Sequence, residues 1–549
     1  MLPGPDGSLW VGIMEDAPGR GLERLKNGVF QTFLAAGFDG SKVEVYSMTF
    51  DRDGSLWVGT AGKGLFRVHG EVVEHYGQAE GLSSDDVRDL FEDREGILWV
   101  ATNNGIDCFR DPRVTSFSTA EGLGNAAVGV LAGKDGTIWV ANDGSFDHIV
   151  NGSVSAIRYE HGLPGGQVTS LLEDSAGNLW VGVDHDLYLF KDGHFRQVSG
   201  PNHEPLGFVS AMTEDVDGNV WAECFGATPK LVRIRDFQVR EEFPAPQTPF
   251  GHSMAPDPRG GIWIATTKKG DLGHFRDGTM QLYPLNLSSP LVTHLGVAAD
   301  GSVYAATVDG LVGLRQGKVQ RMTTKNGLPC DSVISFVQDK EKRWWLYTNC
   351  GVVEFPDSEL QRWWANPEGK IQTRVFDVLD GARPRGRPSF NAAAYSPDGR
   401  VWFANGAVVQ MVDPAMLSQK TLPAVTYVES VIVDRKEFAA TDNLKLSPHP
   451  RDLQIDYTSP TFLIPQRVKF RYRLDGYDRD WHEAGTRRQA FYTDLPPGKY
   501  SFRVMACNSD GVWNDTPARL DFSVTPAYYQ TNWFRALCAV FFMALLWAA

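Results

Sequence analysis

Asp51-Arg52-Asp53-Gly54 and Asp215-Val216-Asp217-Gly218 open like calcium loops, with two carboxylates one residue apart ahead of a glycine. Neither continues to the later oxygen ligands or the bidentate glutamate that such a loop needs, so both read as turns. The glycine string Gly59-Thr60-Ala61-Gly62-Lys63-Gly64 lacks the strand-to-helix setting and the Lys-Ser/Thr ending of a phosphate cradle. The 12 histidines form no metal-spaced cluster, and the six cysteines contain no Cys-x-x-Cys pair. No nucleophile elbow is present, and no carboxylate pair stands apart from the turn aspartates. The expectation is a chain with no catalytic residue, no metal and no cofactor.

One covalent link does fit the spacing. Cys330 precedes the apolar run 331–339, Cys350 follows the run 343–349, and a turn joins the two strands. The cysteines then fall within one residue of facing each other across the hairpin, where a small bulge would bring them into register as a disulfide. The alternative is two buried free thiols in adjacent strands. Cys108, Cys224, Cys507 and Cys538 are expected to stay unpaired.

The elements that position these residues come from a repeat. Aligned on one aromatic, it recurs at Trp10, Trp57, Trp99, Trp139, Trp180, Trp221, Trp263, Tyr304, Trp345 and Trp402. A period of roughly 40 residues is the size of a four-stranded propeller blade. In the Trp99 unit, runs at 86–93, 97–102, 106–111 and 113–118 read as four strands with turns between them. The Asp-x-x-Gly element makes a hairpin turn, the aspartate bonding turn amides and the glycine taking a positive φ. Continuous apolar runs such as Ile97-Leu98-Trp99-Val100 suit a sheet covered on both faces by its neighbours, and the repeat tryptophans are structural.

Length and composition agree with this. At 549 residues, 42% of them hydrophobic, several globular domains are expected. The 56 glycines and 16 tryptophans suit many tight turns between aromatic strands. A net charge of −14 would repel phosphate backbones and anionic lipid surfaces, which argues against a nucleic-acid partner. The first residues, Met1 to Gly12, lack the basic start and apolar stretch of a secretory signal. Trp533 to Ala549 carries Arg535 as its sole charge. As a helix it would rise about 25 Å, a little short of a ~30 Å hydrocarbon layer, and it reads as the start of a transmembrane helix. A buried amphipathic core helix is the alternative.

The units Asp-Gly-x-Leu-Trp-Val-Gly-Thr, with connectors such as Glu121-Gly122-Leu123 and Gly327-Leu328-Pro329, resemble regulator-propeller repeats. Downstream, Tyr457, Tyr472, Tyr477, Trp481, Tyr492, Tyr500 and Trp513 stand where the three-Tyr (Y_Y_Y) domain has its pattern residues. The runs 468–474, 489–495 and 500–507 also alternate at period two, as in an antiparallel sandwich of about 100 residues. The order resembles the sensor half of hybrid-type two-component histidine kinases. That resemblance implies an all-β chain of tandem β-propellers, about ten blades being visible, followed by an Ig/fibronectin-like sandwich and a membrane helix. Residues 1–120 would be the last blades of a first propeller, 121–415 a seven-bladed second one, 420–528 the sandwich and 531–549 the start of the span.

The same resemblance implies an extracytoplasmic sensor in the bacterial cytoplasmic membrane, with residues 1–530 periplasmic or extracellular and the kinase part beyond Ala549. It implies a small-molecule or oligosaccharide ligand, a membrane partner through the terminal helix, and a homodimer through the sandwich and membrane regions. A rigid coupler suits the sandwich, with a mere spacer as the alternative. Between Trp345 and Trp402 the chain is roughly sixteen residues longer than the period, and added loops are where binding tends to sit. Trp363, Trp364, Arg385 and Phe390 are therefore candidate ligand residues. Packing of Trp363 and Trp364 on the propeller face is the other reading. A propeller lyase or hydrolase acting on a glycan-like substrate is the alternative function, and it would need His and Glu residues converging from neighbouring blades.

Overall fold

The structure is a computed structural model that describes residues 1–548 except 16–19, 27, 125–126, 199, 201–203, 227, 246–250, 267–269, 385–391, 418–422 and 442. Each repeat folds as an antiparallel sheet with the aromatic on its second strand. In the Trp180 repeat the strands are Val168–Glu173, Leu179–Val183, Asp186–Lys191 and His194–Val198. Asp174 organises the first hairpin: its Oδ1 accepts the Asn178 amide at 2.8 Å while its Oδ2 accepts Trp180 Nε1 at 2.9 Å. Gly177 completes the turn at φ +83°, which a side chain would strain.

The same carboxylate-to-indole bond links Asp51 to Trp57 (2.8 Å), Asp93 to Trp99 (2.9 Å), Asp215 to Trp221 (2.6 Å), Asp257 to Trp263 (3.0 Å) and Asp339 to Trp345 (2.8 Å). Burial requires it, because an indole N–H enclosed between sheets has no water to bond. Where the aspartate is missing the pattern adjusts. Ser396 Oγ takes the role for Trp402 at 3.0 Å. Ala298 stands at the acceptor position before Tyr304, which has no indole to satisfy, while Gly4 and Gly133 stand there before Trp10 and Trp139.

The chain divides into two compact units, Met1–Asp111 with Lys420–Ala549, and Pro112–Gln419. In the second unit seven four-stranded sheets follow one another, each innermost strand lying beside the next, and the first beside the last. The last sheet takes its innermost three strands from Ala393–Tyr395, Val401–Ala404 and Val409–Val412, and its outermost from Thr115–Phe117 at the other end of the ring. This corrects the reading of residues 113–118 as the fourth strand of the Trp99 unit, which has three strands. The segment closes the ring because the last sheet would otherwise present an unpaired edge.

The first unit holds three sheets from the Trp10, Trp57 and Trp99 repeats, then a sandwich of a four-stranded and a five-stranded sheet. Tyr457, Tyr472, Tyr492 and Tyr500 are buried in the sandwich core among Phe470, Phe502 and Phe522, whereas Tyr477 is about half exposed. The terminal helix runs Asn532–Ala548, 17 residues. Among the described residues no helix is long and apolar enough to cross a membrane.

The turn carboxylate can be tested at Asp215, which accepts from Asp217 N, Asn219 N, Asn219 Nδ2 and Trp221 Nε1. Asp215→Ala strands these donors and is expected to destabilise the protein by about 3 kcal/mol. Asp215→Asn, which keeps one acceptor oxygen, should lose less. Urea unfolding followed by tryptophan fluorescence measures both, and an unchanged midpoint in Asp215→Ala would remove the turn carboxylate from the account.

Candidate functional site

The longer interval after Trp345 inserts a helix, Asp357–Ala365, between the third strand of its sheet, Gly351–Pro356, and the fourth, Arg374–Phe376. Pro356 precedes it, and Asp357 and Glu359 lie in its first turn, where carboxylates suit the helix dipole. Asp357 accepts Trp344 Nε1 at 3.0 Å and Glu359 accepts the Gln372 amide at 3.0 Å, which pins both ends of the insertion. Trp363, expected as a ligand platform, is instead fully buried between this helix and the Tyr304 sheet. Its ring therefore offers no surface to a ligand. Trp364 is half-buried and donates its Nε1 to the Tyr304 hydroxyl at 3.0 Å. Gly313 makes this fit possible, since a Cβ there would lie 2.6 Å from Trp364 Cζ2. The two tryptophans pack the insertion onto the blade. Arg385 and Phe390 lie outside the described residues.

Cys330 and Cys350 are brought together, their Cα atoms 6.1 Å apart. Tyr347 faces Ser335 but Thr348 faces Val333, so Ile334 is an extra residue on its strand. The same one-residue bulge interrupts the first strand of other repeats, at Val168/Ser170 and Val292/His294 among them. Its residues reach the next sheet: Thr169 Oγ1 donates to Val209 O at 2.8 Å and Thr293 Oγ1 to Ile334 O at 2.6 Å.

Two side chains break the repeat's rule. Two residues beyond the aromatic the sequence places Gly182, Ala265, Ala306 or Ala404, small because the neighbouring sheet passes close by. At Gly182 a Cβ would meet the Thr169 and Ser170 hydroxyls at 2.5 Å. Tyr347 and Glu223 occupy the same position. Tyr347 is fully buried, its hydroxyl lying 3.0 Å from Arg383 O and 3.1 Å from Gln410 Oε1, which share its one proton, while Gln410 Nε2 donates to Ser116 Oγ on the closing strand (3.0 Å). Ring closure thus rests on a buried polar chain as well as on backbone pairing. Sequence reading missed it, although a tyrosine at a Gly/Ala position was its signal.

Glu223 is 1% exposed. Its Oε1 accepts the Gly251 amide at 3.0 Å, and its Oε2 has no partner. Burial pushes its carboxyl well above the usual glutamate range, the Gly251 bond opposing this only in part. Burial likewise lowers the His294 imidazole to about 4 and raises the Cys224 thiol to about 12. Among the described residues no three His, Cys, Asp or Glu side chains converge as a metal site.

Residues 461–525 match the Y_Y_Y domain, and residues 39–62, 81–104 and 162–185 match the two-component regulator propeller. A histidine kinase, P4, of Formosa agariphila is 25% identical over 228 residues, which are 39% of this chain and 16% of that relative. Among solved structures, the extracellular domain of a proposed hybrid two-component system from B. thetaiotaomicron superposes with a TM-score of 0.73 at 19% identity, over 96% of this chain and 72% of that one. The chain thus carries regulator-propeller repeats and a Y_Y_Y domain over those residues.

Because Glu223 holds its proton more tightly when folded than when unfolded, stability is greatest below the ordinary glutamate range and falls as pH rises toward the raised pKa. Glu223→Gln keeps the acceptor for Gly251 and removes the titration. From pH 4 to pH 8 the melting temperature of this variant should gain steadily on the wild type. A parallel course of the two curves would show that Glu223 is ionised in the fold.

Proposed function

We propose that this chain is the extracytoplasmic ligand-sensing region of a membrane-bound two-component regulator, a sensor histidine kinase whose phosphoryl-transfer part is carried elsewhere in the protein. The observation that carries the reading is one succession along the chain: regulator-propeller repeats, a Y_Y_Y sandwich, then an apolar helix exposed on every side. Leu537, Val540, Phe541, Met543 and Leu546 are each more than half exposed, an arrangement that water disfavours and lipid does not. Trp533, Tyr528 and Tyr529 lead into the helix as an interfacial aromatic group would. The ligand would be a small molecule or oligosaccharide, and a homodimer through the sandwich and helix is part of the same proposal. The enzymatic alternative gains no supporting observation from the described residues.

Protease added to intact spheroplasts carrying the full protein is expected to cleave the propeller repeats while a cytoplasmic marker survives. Full protection of the repeats until lysis would reverse the orientation and remove the sensing role.

The same reading places the chain where thiols oxidise, and we infer that Cys330 and Cys350 form a disulfide there, supported by the 6.1 Å separation of their Cα atoms. Closing a loop of about 20 residues would contribute ~3 kcal/mol in the chain-entropy model. Peptide mapping of exported protein should recover the two peptides linked. Complete alkylation of both cysteines without reductant would rule the bridge out.

A further inference from the structure

The two outer faces of the sandwich carry opposite charge. On the four-stranded sheet, whose strands are Tyr427–Val433, Lys436–Ala439, Asp452–Thr458 and Gln489–Thr493, core residues alternate with outward ones, and the outward charges are Glu429, Glu437, Asp452 and Asp456. Among the described residues none of the four has a lysine or arginine partner, Asp456 accepting from Ser430 Oγ and Gln454 Nε2. Tyr427 and Phe491 stand on the same face, each about half exposed. On the five-stranded sheet Lys469, Arg471, Arg473, Lys499, Arg503 and Arg519 point away from the core, against Asp475, Glu483 and Asp521. Arg473, Arg503 and Arg519 are direct cross-strand neighbours, a row of like charges that costs stability. Asp475 engages the first two and Asp521 the third. Arg471 has no carboxylate partner among the described residues and rests between the Trp481 and Trp513 rings. This face keeps an excess of positive charge on a chain whose net charge is −14.

We propose that the two faces are a complementary pair, the acidic face of one copy of this chain docking on the basic face of the next. Their charges stand at matching heights. Gln489, which pairs with Asp456, lies four residues before the end of its strand, and Arg503 lies five residues after the start of the next, the two strands being joined by residues 494–497. Copies standing side by side with their terminal helices parallel therefore set Asp456 level with the arginine row. Asp452, paired with Thr493 at the strand end, comes level with Lys499. A two-fold axis through either face would instead set like charge on like, so the contact joins unlike faces and leaves each copy one face open. Repeated, it gives an open row of copies and not a closed pair. The inference rests on the sensor reading for the upright copies, whose self-association it makes directional.

The test is sedimentation of the full chain in detergent at low and high salt. The wild type is expected to grow past the dimer as its concentration rises, and high salt should reverse that growth because the contact is ionic. Glu429→Gln with Glu437→Gln neutralises one face, and Lys499→Gln with Arg519→Gln the other. All four side chains are exposed, so both double variants should melt near the wild type. Each should weaken the growth about tenfold. An equal mixture of the two should regain a one-to-one pair, because the intact acidic face of one meets the intact basic face of the other. Asp452→Asn and Lys469→Gln, on the same two faces, repeat the test should a double variant unfold. Growth that one double variant loses and the other keeps would mean a contact through a single face, and it overturns the proposal. Growth that both keep, or a wild type that stays at monomer or dimer at every salt, overturns it as well. The sensor reading fails on a separate result, the protection of the repeats in spheroplasts.

Discussion

The carboxylate-to-indole hydrogen bond ties the first hairpin to the interior in six of the ten repeats. In the second unit the sheets are covered on both faces by their neighbours, so most side chains on a second strand, such as those of Leu179–Val183 and Val303–Thr307, are removed from water. A tryptophan there supplies large apolar area but brings one N–H, and an unmet donor in that setting would cancel much of the gain. The turn aspartate answers this with one group that also holds the turn amides, so hairpin geometry and interior packing are fixed together. Two of the exceptions follow the same accounting of donors. Ser396 suffices for Trp402, and Ala298 is tolerated where Tyr304 replaces the indole and turns its hydroxyl to Trp364. Gly4 and Gly133 stand at the same position before Trp10 and Trp139, so those two sheets form without the turn carboxylate.

Closure adds a second constraint. Open sheets can be added without limit, but a ring has to join its first residues to its last. The closing strand is short, three residues against Val409–Val412. Backbone pairing over so few residues is reinforced by Arg113 beside Asp380 at 3.4 Å, by Val114 N donating to Asp380 O at 3.0 Å, and by the buried chain from Ser116 through Gln410 to Tyr347. Tyr347 fits only because its sheet gives up the small residue that other repeats place there, so the join and the repeat's irregularity have one cause.

Period, turn chemistry and aromatic spacing are local properties, and they made the four-stranded repeat and the sandwich readable before any coordinates. What stayed hidden was non-local. Residues 113–118 look like any outer strand, and nothing in their spelling tells that their partner lies at Val409–Val412. The insertion after Trp345 was visible as excess length, but its role was not. Trp363 and Trp364 have the side chains of a sugar platform, and only Gly313, distant in sequence, reveals that a helix docks there and buries one ring completely. Cys330 and Cys350 were legible because a hairpin is local and its bulge is a feature of the repeat. Glu223 was readable in principle as a carboxylate at a glycine position, a signal that emerges only once the repeats are aligned to the residue.

The sandwich is held by its aromatic residues from core to surface. Its buried tyrosines each anchor a hydroxyl: Tyr457 to Arg487 O (3.1 Å), Tyr492 to Asp478 (2.8 Å) and Tyr500 to Pro496 O (2.7 Å). On the outer face the Arg471 guanidinium lies over both Trp481 and Trp513, at 5.3 and 4.5 Å from the ring centroids. At one end the loop carrying Phe462 sets its ring edge-on to Trp99, and the Phe462 and Leu463 amides donate to Glu95 at 2.7 and 3.2 Å. At the other end Thr525 is bonded to Leu446 O, Ala527 N to Gln530 and Arg535 N to Thr531 O, which carries order from the last strand into the terminal helix. Hydrogen bonds and packed aromatic rings thus recur from the Trp99 sheet through the sandwich to the start of the terminal helix.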